Sequence, residues 1–135
     1  MDGYSTCYRN HLATDQTKYL HGCDIKFRMY FEGDLDYRNW VVDFGWMKRS
    51  KQTIDGMNLK DYFSYLFDHT CLIQHNDPSK QTFQDMADRG IIQLRLLDDT
   101  TKEGIEQFLY GVLQNLISHE TEGRVNLVKL EVTKY

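Results

Sequence analysis

The chain of 135 residues has one proline, Pro78, and no Pro/Gly/Ser-rich or low-complexity stretch. Nothing in it reads as a linker, repeat or boundary, so residues 1–135 are expected to form a single domain. No apolar run approaches the ~20 residues that a helical membrane span needs. The opening residues, MDGYSTCYRNH, are polar and show no signal-peptide core. Cysteine is scarce and odd in number: Cys7, Cys23 and Cys71 have no disulfide-framework spacing. A reducing compartment, the cytoplasm, is the expected home. Basic charge is also short, with 16 Lys and Arg against 20 Asp and Glu, a net charge of −4. KRSK, at 48–51, is the one basic cluster, which leaves no footprint for a nucleic-acid partner.

Hydrophobic residues, at 41%, and aromatics, at 13%, are plentiful enough for a packed core. From Cys23 to Phe31 the residues Cys23, Ile25, Phe27, Met29 and Phe31 alternate with polar ones, the period of a half-buried strand. EGDLDYRN (32–39) carries turn chemistry and WVVDF (40–44) reads as a second strand, giving an antiparallel hairpin. NLKDYFSYLFDHT (58–70) has Leu59, Tyr62, Phe63 and Leu66 at helical spacing. QTFQDMADRG reads as a short helix closed by Gly90, and IIQLRLL (91–97) as a brief strand. A long helix follows over residues 100–119. Thr100 and Glu103 stand at capping-box spacing, ahead of a stripe of Ile105, Phe108, Leu109, Val112, Leu113, Leu116 and Ile117. RVNLVKLEVTKY ends the chain as an alternating strand with Val128, Leu130 and Val132 on one face. The expected class is α+β, an antiparallel sheet covered on one side.

Two groups of residues could carry chemistry. His21 and Cys23, two apart on a strand, project from the same face. Imidazole and thiolate are both zinc donors, and His11 is the nearest candidate for a third. The same residues also read as an ordinary strand start with a thiol packed as a small hydrophobe. Asp68 and His69 adjoin at a helix end, where a carboxylate can orient an imidazole for proton transfer. A histidine is also favoured there simply by the helix dipole.

The order HGC, WVVDFG, FDHTCLI, NDP, TTKEGIEQFLY and VKLEV resembles the 6-pyruvoyltetrahydropterin synthase family, which includes the 6-carboxytetrahydropterin synthases of the queuosine pathway. The likeness runs from about His21 to Lys134. It implies a T-fold, with a four-stranded antiparallel sheet, helices on one face and an oligomeric barrel, usually a hexamer of two trimers with active sites at subunit interfaces. It also implies a zinc-dependent carbon–oxygen lyase acting on 7,8-dihydroneopterin triphosphate, with Zn2+ held by His11, His21 and Cys23. Cys23 stands where the family usually has histidine. Asp68 and His69 match the family's catalytic pair. Thr17 lies near the place of a catalytic cysteine that this chain lacks. Thr100, Thr101 and Glu103 correspond to the region beside the pterin, and Glu131 is the candidate for the glutamate that anchors the ring. Strand alternation, however, puts Lys134 on the inner face and Glu131 on the other unless the strand bulges. A catalytically altered T-fold pterin-binding oligomer is the alternative.

Overall fold

The computed structural model describes residues 3–36 and 56–135. The order of elements is β1 (Tyr4–Tyr8), a 3-10 turn (Gln16–Lys18), β2 (His21–Gly33), α1 (Leu59–Phe67), β3 (Thr70–Gln74), α2 (Lys80–Asp88), β4 (Leu94–Leu97), α3 (Lys102–Glu120) and β5 (Val125–Lys134). The strand expected at 40–44 lies outside the described residues.

Among the described residues the sheet is five-stranded and mixed, in the order β4-β3-β1-β2-β5. β2 runs antiparallel to both β1 and β5, whereas β3 runs parallel to β1 and β4. This corrects the expected four-stranded antiparallel sheet. β1 and β3 escape the periodicity argument because YSTCY is short and TCLIQ does not alternate. β3 is buried along its whole length, as befits a parallel strand covered on both faces.

The coverage on both faces is a second correction. Leu72 faces the main core with Ile25, Phe27, α1 and α3, while its neighbours Cys71 and Ile73 pack with Phe83 of α2. The main core centres on Phe27, whose ring lies 4.8 Å from Phe63 and 4.9 Å from Phe67. α1 buries Leu59, Tyr62, Phe63, Leu66 and Phe67, the face its spacing predicts, and starts where the Asn58 side chain accepts from the Asp61 backbone N–H. It ends at Phe67, three residues short of the expected end at Thr70, because Thr70 already belongs to β3. α2 closes on Gly90, whose φ of 75° suits glycine.

α3 keeps the predicted stripe, except that Phe108 is exposed. Its cap sits one residue later than the capping-box spacing suggests: Thr101, not Thr100, accepts from the Gly104 N–H. Thr100 is instead fully buried, and its hydroxyl donates to the Arg9 carbonyl.

β5 departs from simple alternation. Tyr30 pairs with Lys129 but Phe31 pairs with Leu127, so Val128 is a surplus residue in a bulge. Leu127 is buried at 2% exposure while Val128 is exposed at 54%. The expected face of Val128, Leu130 and Val132 is therefore Val125, Leu127, Leu130 and Val132. Along the outer side of β5, the N–H groups of Leu127 and Val132 donate to Gln114 and Glu106 of α3. Side chains of the covering helix thus occupy donors that an edge strand would otherwise offer to another chain.

Candidate active site

The loop after β1 is fastened to the end of β3 and to the turn that leads into α2. Arg9 donates to Asp77 through Nε at 2.6 Å and through a second guanidinium nitrogen at 2.7 Å. Asp77 is buried, and burial alone would push its carboxyl upward. The Arg9 guanidinium and the Ser79 N–H outweigh this and hold it below the usual carboxylate range. The buried Gln74 donates to Asn10 Oδ1 at 2.8 Å. Together these contacts fix His11, whose Nδ1 lies 3.4 Å from Gln74 Nε2 and 4.0 Å from Asp77 Oδ2.

His21 opens β2 opposite Tyr8, with ring centroids 6.2 Å apart, and Cys23 stands opposite Thr6. As their spacing predicts, both share the face of Ile25. Lys134, across β5 at the level of Ile25, completes this corner. Its ammonium lies 3.8 Å from the centre of the Tyr8 ring and donates to the Thr100 carbonyl at 2.7 Å. Burial draws Lys134 below its ordinary value, opposed by Cys23, Glu103 and Asp99. Burial likewise pushes the Cys23 thiol up, with Lys134 pulling the other way. The face of Lys134 was legible from alternation, but its contacts with Tyr8 and Thr100 join distant segments and had no local signal.

Among the described residues, no three His, Cys, Asp or Glu side chains stand close enough together to hold a metal ion. His21 and Cys23 are neighbours, while His11 is turned to Gln74 and Asp77. The donor types suit zinc, but the arrangement does not gather them.

Asp68 and His69 do form a pair. His69 Nδ1 lies 2.9 Å from Asp68 Oδ1. His69 has a left-handed backbone, φ 56°, at the abrupt change from α1 to β3, a conformation uncommon for a non-glycine residue. The bend is held by its N–H donating to Ser5 at 2.6 Å and its carbonyl accepting from Gln93 at 3.1 Å. The imidazole is 76% exposed and so free to meet another molecule. His69 also lines a cavity of about 290 Å³ with Cys7, Cys71 and Gln93. Cys7 and Cys71 project from the opposite face of the sheet to Cys23. β1 lies between β2 and β3, so the backbones of Cys23 and His69 are separated by two strand spacings, ~10 Å.

The other anticipated residues are placed as follows. Thr17 lies in the 3-10 turn, where its hydroxyl donates to Asp15 Oδ1 at 2.5 Å. Thr100 and Thr101 serve the buried corner and the helix cap described above. Glu103 lies exposed in the first turn of α3. Glu131 is on the outer face of β5, 2.8 Å from Lys129 Nζ and within reach of the Tyr30 hydroxyl. The bulge comes before it and does not turn it inward.

Among the described residues, a mixed sheet with two helices on one face and one on the other fits the α+β T-fold class. The family profile described as 6-pyruvoyl tetrahydropterin synthase matches residues 3–134. The chain therefore belongs to the 6-pyruvoyl tetrahydropterin synthase family. A crystal structure of an uncharacterized protein from Wolinella succinogenes has the same fold, with a TM-score of 0.77 at 16% identity over 99% of this chain and 92% of that one. No curated protein sequence matches the chain. No helix among the described residues is long and apolar enough to cross a membrane.

Proposed function

We propose that the chain is a 6-pyruvoyl/6-carboxytetrahydropterin synthase-like enzyme acting on a reduced pterin that carries a phosphorylated side chain, 7,8-dihydroneopterin triphosphate. The observation that carries this reading is the Asp68–His69 pair. With Nδ1–H donating to the Asp68 carboxylate at 2.9 Å, His69 keeps Nε2 as the free acceptor. The carboxylate fixes the ring and stabilises the imidazolium formed when Nε2 takes a proton from the substrate side chain. Loss of that proton beside a carbon bearing triphosphate allows elimination: the C–H electrons form the double bond and the C–O bond to triphosphate breaks.

Within one chain the pair lies ~10 Å from Cys23, with β1 between them. This separation favours a site assembled between copies of the chain, one supplying Asp68 and His69 and another the His21, Cys23 and Lys134 corner. A homo-oligomer, a hexamer of two trimers by the resemblance, belongs to the proposal. Zinc, as a Lewis acid for the substrate's side-chain oxygens, rests on the donor types of His11, His21 and Cys23 alone, so no step is routed through it.

A second reading, a pterin-binding T-fold oligomer with altered chemistry, is favoured by two observations. The Thr17 hydroxyl is committed to Asp15, and Glu131 is paired with Lys129 on the outer face. Incubation with 7,8-dihydroneopterin triphosphate separates the two. Triphosphate release dependent on His69 supports the enzyme. Saturable pterin binding without release supports the binding protein.

A further inference from the structure

Two of the three cysteines meet across the sheet, away from the corner that holds the third. Cys7 of β1 and Cys71 of β3 are direct register partners on adjacent parallel strands. Neighbouring strands lie ~4.8 Å apart, inside the Cα–Cα span of ~4.4–6.8 Å that a disulfide accepts. Both side chains belong to the α2 side of the sheet, where Cys71 is buried with Ile73 and Phe83, and Cys7 packs against them partly exposed. The cavity of about 290 Å³ opens over the two sulfurs between Ser5, His69, Ile91, Ile92 and Gln93. One thiol is thus reachable from solvent and its partner is sheltered directly beside it.

We propose that Cys7 and Cys71 form a peroxide-reactive dithiol, with Cys7 the attacking sulfur and Cys71 the resolving one. The Cys71 S–H, donating toward Cys7, brings the Cys7 thiol down to about 7 against the opposing effect of burial, whereas Cys71 itself is held protonated. The Cys7 thiolate attacks one peroxide oxygen; the O–O bond breaks, leaving Cys7 as a sulfenic acid and expelling hydroxide, which takes up the proton that Cys7 shed on ionising and leaves as water. The Cys71 sulfur then attacks the sulfenic sulfur. Its S–H proton leaves with the displaced hydroxide as a second water, and the S–S bond forms. Two thiols lose two electrons and one peroxide gains them. Register pairing favours this closure over further oxidation, because the resolving thiol needs no strand movement to arrive. Cys23, on the opposite face of the sheet, has no part in it.

The test treats the native protein with stoichiometric hydrogen peroxide, then counts thiols and maps peptides without reduction. Titratable thiols are expected to fall from three to one, with Cys7 and Cys71 peptides joined within one chain and dithiothreitol restoring the starting count. In Cys71→Ala, a sulfenic-acid trap should label Cys7, which it does not in the wild type. Three unreacted thiols, a Cys7–Cys7 link between chains, or sulfinic acid at Cys7 beside a free Cys71 would each overturn the proposal. The peptide map needs only wild-type protein, so it stands even where the alanine variant fails to fold.

Discussion

His69 Nδ1 and Asp68 Oδ1 are 2.9 Å apart at the point where the chain turns from α1 into β3. Both side chains are accessible, at 76% and 42% exposure. Such an exposed pair adds little to stability, so its geometry is free to serve proton transfer. His69→Ala is expected to slow triphosphate release by about 10²–10⁴-fold, with Asp68→Asn falling between it and wild type. Thermal unfolding should be nearly unchanged in both. Wild-type release rates in His69→Ala would remove the pair from the chemistry.

The Arg9–Asp77 pair should behave in the opposite way, because Asp77 is buried and bonded through both carboxylate oxygens. Asp77→Ala is expected to cost on the order of 2–3 kcal/mol in urea unfolding. The folded carboxyl lies below its unfolded value, near 3.9. Its contribution is therefore present above about pH 4 and lost as pH falls through the lower folded value. Asp77→Asn should flatten that acid limb of the stability curve, and an unchanged limb would contradict the assignment.

The bulge in β5 makes adjacent residues respond differently. Leu127→Ala should destabilise by about 2–5 kcal/mol, whereas Val128→Ala should stay within about 0.5 kcal/mol of wild type. Equilibrium unfolding of the two variants reads the register directly, and equal losses would contradict it.

At the head of α3, Thr101→Ala should cost about 1 kcal/mol. Glu103→Gln should change unfolding by less than about 0.5 kcal/mol, since Gly104 donates to Thr101 while Thr100 is engaged with Arg9. A larger effect at Glu103 than at Thr101 would restore the cap to Thr100.

Elemental analysis addresses the metal. If zinc copurifies, His21→Ala and Cys23→Ser must each strip it, because these are the two donors that share a face. Protein purified without zinc, and failing to take it up with both side chains intact, would remove zinc from the proposed function.

Much of this architecture is legible where one period dominates. The alternation of β2 and the stripe of α3 are strong because each buries a single face. β3 carries no such signal, since a strand covered on both faces has no reason to alternate. The bulge at Val128 is equally silent, because two exposed residues in succession follow from pairing with β2 rather than from local preference. The same division holds at the site. Asp68 and His69 are neighbours in sequence, and their contact was readable. The inward face of Lys134 and the outward face of Glu131 also followed from alternation. The ammonium over Tyr8, the Thr100 carbonyl beneath it and the Arg9–Asp77 fastening join segments far apart in the chain, so no local pattern could supply them.

The surplus residue in β5 also bears on how chain length can vary. Val128 has no partner in β2, while the pairs on either side hold their own registers. Removing it would close the bulge without turning Leu127, Leu130 or Lys134 to another face. The middle of this strand, normally the least forgiving place for an insertion or deletion, can therefore absorb one. A chain one residue shorter at this point would still present the same side chains inward.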